Sequence, residues 1–171
     1  MRVYLAATAR LLQRLLADGG LTGPLVATAV TPALREAYAE GDLEELEYAA
    51  ALEAARASMR LLADEAHAGS GAVPRRVVVA ADVPDTAGTP DASVGRAAVR
   101  LAVPVPLDRV AAVHVDEAAA EPAVRAAVGV LDRADAGDED ATFLVDEVEG
   151  FDLLWFAPQE LPDLVAELER A

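Results

Sequence analysis

The sequence predicts a single α/β or α+β domain: a mixed sheet with helices packed on it. Three observations carry this reading. Short apolar runs of strand character alternate with longer stretches of helical period along the whole chain. With 171 residues the chain can form one domain with a sizeable core, burying roughly 70% of the surface that the unfolded chain exposes. Hydrophobic residues make up 54% of it, which excludes a disordered chain.

The elements follow in order. RVYLAA (2–7) reads as a strand. Thr8 stands where an N-cap belongs, and Leu11, Leu12, Leu15 and Leu16 form one stripe on a helix that Gly19-Gly20 end. LVATAV (25–30) is a second strand. Thr31-Pro32 open a short helix over 32–39, with Thr as N-cap and Pro at the first helical position. Asp42 opens a long helix over 43–66, and Glu45 completes a capping box. Leu43, Leu46, Ala50, Ala54, Ala57 and Leu61 form its apolar face, where small alanines permit close packing on a sheet. RRVVVAAD (75–82) is a β-branched, buried strand.

Residues 82–95 are rich in Pro, Gly and Asp and read as a loop. It joins two units, 1–81 and 96–171, of the one domain 1–171. The second unit gives a strand from 96, a Pro-bounded turn and a strand over 110–115. A helix over 121–134 follows, with Pro122 in its first turn, and then a GDED loop. VYLAATARLLQRLL and LLWFAPQELPDLVAEL share an order of apolar strand, turn residue and amphipathic helix, the mark of a two-unit pseudo-repeat.

ATFLVDEV and FDLLWFA flank Glu149-Gly150, the spacing of a C-terminal β-hairpin with a helix after it. In that register Leu144, Asp146, Val148, Phe151, Leu153 and Trp155 share one face, and Phe143 lies opposite Phe156. The chain holds one Trp, three Tyr and three Phe, and four of these rings fall between Phe143 and Phe156. A hairpin base packed in the core accounts for the cluster. The other reading is a docking surface made by Phe151, Trp155 and Phe156.

Chemistry-bearing residues are sparse. His114 and Asp116 project from one face of a strand, as two metal ligands do, but no third ligand stands at a recognisable spacing. Asp82 ends the strand VVVAAD, where α/β proteins often place ligand contacts. These three are the candidate catalytic residues. No metal site is expected. Asp132, Asp135, Asp138, Glu139 and Asp140 make the densest acidic run, without EF-hand spacing. No phosphate-cradling glycine motif and no G-x-S-x-G occurs, and without Lys neither a P-loop nor Schiff-base chemistry is available. No cofactor is expected.

Composition excludes further classes. There is no Cys, which removes disulfides, thiolate catalysis and iron–sulfur clusters. Net charge is −16, so nucleic acid and anionic membrane surfaces are not expected partners. The best basic pair is Arg75-Arg76. No apolar run approaches the ~20 residues that span a bilayer. Arg10 and Arg14 interrupt the N-terminal apolar stretch, which argues against a signal peptide. The protein is expected in the cytoplasm. Lys, Asn and Ile, whose codons are AT-rich, are all missing, which points to a GC-rich bacterial genome.

The ordered blocks MRVYLAAT, AVTPALREAYAEGDLEELEYAAALEAARASMRLL, RRVVVAADVP, VPLDRVAAVHVDE and LLWFAPQELPDLV resemble a family of actinobacterial proteins of unknown function. The resemblance spans nearly the whole chain and carries over no catalytic residues. The functional expectation is a non-enzymatic binding or protein-interaction module, with a protein partner or a homo-oligomer. The alternative is a small hydrolase or metal-dependent enzyme using acidic residues, Asp82 and Asp116 among them, and His114.

Overall fold

The computed structural model of the chain describes residues 1–38 and 40–171. Its strands are β1 (Arg2–Ala7), β2 (Gly20–Leu21), β3 (Leu25–Ala29), β4 (Val77–Asp82), β5 (Gly88–Pro90), β6 (Ala98–Leu101), β7 (Val105–Pro106), β8 (Val110–Asp116) and β9 (Leu153–Phe156). Its helices are α1 (Ala9–Asp18), α2 (Pro32–Ala37), α3 (Leu43–His67), α4 (Glu121–Val128), α5 (Leu131–Asp135), α6 (Glu139–Glu147) and α7 (Leu161–Leu168).

The fold is α+β. Seven strands form one sheet in the order β5-β6-β3-β1-β4-β8-β9. Every pairing is antiparallel, where a mixed sheet was expected. β3 and β4 do run the same way, joined through α3, but β1 lies between them. Alternation along the chain shows strands and helices and cannot show such an insertion. The 82–95 stretch is not all loop, since it contributes the edge strand β5 paired with β6, and strands from both sides of it interleave, β3 with β6 and β4 with β8. β2 and β7 pair separately. There the chain comes very close: a Cβ on Gly20 would lie 2.9 Å from the Pro106 Cα.

The sheet is covered on both faces. Odd-numbered β1 and β4 residues, Val3, Leu5, Val77 and Val79, pack with Leu12 and Leu15 of α1 and Leu161, Leu164 and Leu168 of α7. Each such leucine contributes roughly 1.5–3 kcal/mol through burial. The opposite face, with Tyr4, Val78, Ala80 and Ala112, packs against Leu46, Ala50 and Ala54 of α3. The second half of α3 carries a satellite core in which Met59 and Leu62 meet Val124, Leu131 and Val145 of α4–α6.

Local signals hold at most helix starts. Thr8, Thr31 and Asp42 are N-caps, and Asp42 with Glu45 closes a capping box. Gly19 ends α1 with φ 70°. The short helix runs to Ala37; Ala39, the last residue of the expected span, lies outside the described residues. The buried stripe of α3 drifts from the expected one. Leu43 and Ala57 are exposed, while Ala55, Ser58, Met59 and Leu62 are buried, because the second half of the helix faces α4–α6 as well as the sheet. The expected helix 121–134 is two helices, broken at Gly129 and at Val130, which has φ −124° and ψ 5°.

The C-terminal hairpin does not form. Residues 139–147 are α6, Val148–Gly150 are a tight turn, and β9 pairs with β8 instead. The Asp138 carboxylate accepts the Ala141 N–H at 2.9 Å, and Glu139 and Asp140 occupy the first turn, where the helix dipole favours acids. The GDED segment is thus a helix start. Ala141, Val145 and Val148, spaced four and three apart, are the residues α6 and its turn bury.

Candidate functional site

The three candidate catalytic residues share the α3-facing side of the sheet but are strung out along it. Asp82 pairs with Arg2 at the end of β4, Oδ1 to Nε 2.7 Å. The Arg2 guanidinium holds its carboxyl below the usual carboxylate range. His114 stands opposite Val78, four residues back along β4. Burial, with a smaller contribution from Arg2, lowers its pKa and favours neutral imidazole.

Asp116 is committed elsewhere. Its side chain is fully buried and takes Arg76 Nη2 at 2.7 Å, Arg76 Nε at 2.9 Å and the Arg76 backbone N–H at 2.7 Å. Among the described residues no three His, Cys, Asp or Glu side chains gather to hold a metal ion. The Asp82, His114 and Asp116 side chains therefore form no common pocket.

The Arg75-Arg76 pair also has a different setting from a basic surface. Arg75 is nearly buried between Glu121 (2.8 Å) and Glu167 (3.2 Å). Arg76 Nη2 also donates to the Phe151 carbonyl at 2.8 Å. The two guanidiniums thus tie the start of β4 to α4, α7, β8 and the segment entering β9.

β9 is the last strand of the sheet, and among the described residues it pairs only with β8. Its register is Leu153 to Asp116, Leu154 to Val115, Trp155 to His114 and Phe156 to Val113. Opposite residues share a face. Leu153 therefore points toward α3, where it packs on the core, and Phe156 points toward α1 and α7 and does the same. Trp155 and Leu154 occupy the same two faces but stay open, 60% and 47% exposed. Each face of the edge thus carries one anchored and one exposed apolar side chain, beside a row of free backbone groups.

The remaining rings separate. Phe151 packs on the α3–α6 core. Phe143 lies on α6, 68% exposed, and makes no pair with Phe156. Of the three candidate binding residues, Trp155 is open, while Phe151 and Phe156 are partly covered. Leu154 carries no signal of its own in the sequence, being one leucine among many, whereas Trp155 is the chain's one Trp. Exposed acids flank the edge: Glu147, Glu149 and Asp152 before it and Glu160 after it.

A second open feature lies on the solvent side of α3. A cleft of about 860 Å³ is lined by Tyr38, Tyr48, Leu52 and several carboxylates. Its sequence signal is Tyr48 and Leu52, one turn apart on α3 and opposite the stripe of Ala50, Ala54 and Ala57.

The fold and these open features define a class: a small antiparallel α+β protein with an apolar, uncovered sheet edge on an acidic body. The chain belongs to the family of unknown function DUF6912, whose model matches residues 1–165. No curated protein and no solved structure matches it. No helix among the described residues is long and apolar enough to cross a membrane.

Proposed function

We propose that the protein is a non-enzymatic interaction module of the actinobacterial cytoplasm. On this reading its β9 edge receives an extended apolar segment, flanked by basic residues, from a partner protein. The observation that carries it is the open edge Leu153–Phe156, with Trp155 and Leu154 exposed on its two faces. Strand addition draws affinity from backbone hydrogen bonds and specificity from alternate side chains, and this edge offers both. The flanking carboxylates and the net charge of −16 favour basic flanks on the partner. The same charge disfavours a second copy of the chain. Consumption of Arg75 and Arg76 in carboxylate pairs supports a protein rather than a nucleic acid as partner. The absence of Cys and the GC-rich residue usage support the setting.

The test is a fluorescence titration of the single Trp, Trp155, with a synthetic alternating Val/Thr peptide flanked by arginines. A saturable blue shift is expected, together with weaker binding of the same peptide flanked by glutamates. No shift with either peptide overturns the reading. A shift that depends on protein concentration alone assigns the edge to a second copy and overturns the partner reading too.

A further inference from the structure

The cleft on the outer side of α3 rests on observations separate from the β9 edge. Tyr38, at the end of α2, and Tyr48, in the second turn of α3, line it and are 50% and 60% exposed. The third tyrosine, Tyr4, is buried. A chain with few rings therefore places two of its three tyrosines, both open, on one concavity. Leu52 gives the wall an apolar patch one helical turn beyond Tyr48.

The charges in the lining are one-sided. Glu40, Glu45, Glu53 and Glu149 contribute carboxylates. The cation among them, Arg56, is already held by Asp146 and Glu149, each at 2.7 Å. The capping box fixes Glu45, whose Oε2 accepts the Asp42 N–H at 3.1 Å.

This combination selects a ligand class. An anion meets carboxylates. A neutral apolar molecule desolvates them without return. A bare metal ion leaves the rings and Leu52 unused. An alkyl chain bearing several ammonium groups satisfies every wall. Its ammonium groups suit the carboxylates and the tyrosine rings, and its methylenes suit Leu52 and the same rings. The volume is within the range of small-molecule sites.

We propose that this cleft binds an organic polycation of the polyamine type. Exposed cation–π contacts and solvent-screened ion pairs give a modest, salt-sensitive affinity, with Kd of about 0.1–1 mM at low salt. The proposal does not depend on the β9 reading.

The experiment is isothermal titration calorimetry of the full chain with spermidine. One saturable site is expected. Tyr48→Leu keeps bulk but removes the ring face, and weakens binding about two- to fivefold. Glu53→Gln does so by a similar factor. Asp163→Asn, an exposed acid of α7 on the other side of the sheet, leaves binding unchanged. Both lining positions are at least partly exposed, so these variants keep the fold, which thermal melts confirm. Absence of saturation overturns the proposal. So does equal weakening by Glu53→Gln and Asp163→Asn, which signals diffuse charge only. If spermidine fails to saturate while the arginine-flanked peptide binds and Glu53→Gln weakens that peptide, the cleft takes the partner's basic flank and the proposal falls.

Discussion

The sheet has two edges, and they are built in opposite ways. β5 is three residues long, Gly-Thr-Pro. Asp91 N–H donates to Ala98 O at 2.9 Å, so by alternation the nitrogen of Pro90 faces the free side, where it has no hydrogen to offer. Arg100 lies opposite Thr89 and is ion-paired with Asp91. Short length, proline and charge are the ordinary ways of blunting an edge. β9 is Leu-Leu-Trp-Phe, with none of the charge or proline. An edge left open in a chain that blunts the other one is the feature that most needs a function.

The two edges can be tested against each other. The largest effect is expected beneath β9. Arg76→Met leaves the buried Asp116 carboxylate without its counter-ion, held only by the backbone N–H of residue 76, and releases the Phe151 carbonyl. This costs about 3–5 kcal/mol, read from urea denaturation. Adding Asp116→Leu recovers most of that loss. A loss below about 1 kcal/mol for the single variant means that β9 is anchored by something else.

The centre of the sheet is a control remote from both edges. The Tyr4 hydroxyl is pushed up to about 12 from 10.0, first by burial and then by Glu47. A raised pKa in the folded state favours the neutral phenol. Its contribution is therefore intact below pH 10 and is lost as pH rises from 10 through 12. The loss is on the order of 2–3 kcal/mol. Tyr4→Phe flattens that alkaline limb in melts taken across this range, and neither edge is disturbed.

Smaller effects on stability come with sharper effects on binding. Leu154→Lys blunts β9. Stability changes by no more than about 0.5 kcal/mol, while the arginine-flanked peptide loses at least about tenfold in affinity by Trp155 titration. Retained binding would show that β9 is not the docking edge. Pro90→Val returns an N–H to the free side of β5 and alters stability by no more than about 1 kcal/mol, the span of strand propensity. One peptide equivalent per chain is still expected by calorimetry. A second equivalent would show that Pro90 alone separates the two edges.

Much of this architecture was legible because the signals are local. N-caps at Thr8, Thr31 and Asp42, the glycine stop after α1 and the β-branched run of β4 each act within a few residues. The hairpin failed for a related reason. Asp138 caps a helix, but acid-rich GDED reads equally well as a turn, and Leu144, Val145 and Val148 suit either period. Strand direction depended on β1 inserting between β3 and β4, which no local pattern records. Asp116 looked like a ligand beside His114 because its counter-ion, Arg76, is forty residues away in the chain. The open edge was half legible: Trp155 stood out by its rarity, but its exposure follows from pairing with β8 rather than with residues 143–148.

The most direct test of the open edge is residue-resolved amide hydrogen exchange with and without the arginine-flanked strand peptide. Added protection is expected at alternate amides within Leu153–Phe156 and none within Gly88–Pro90. Protection at β5, or no change at β9 under saturating peptide, would contradict β9 as the docking edge.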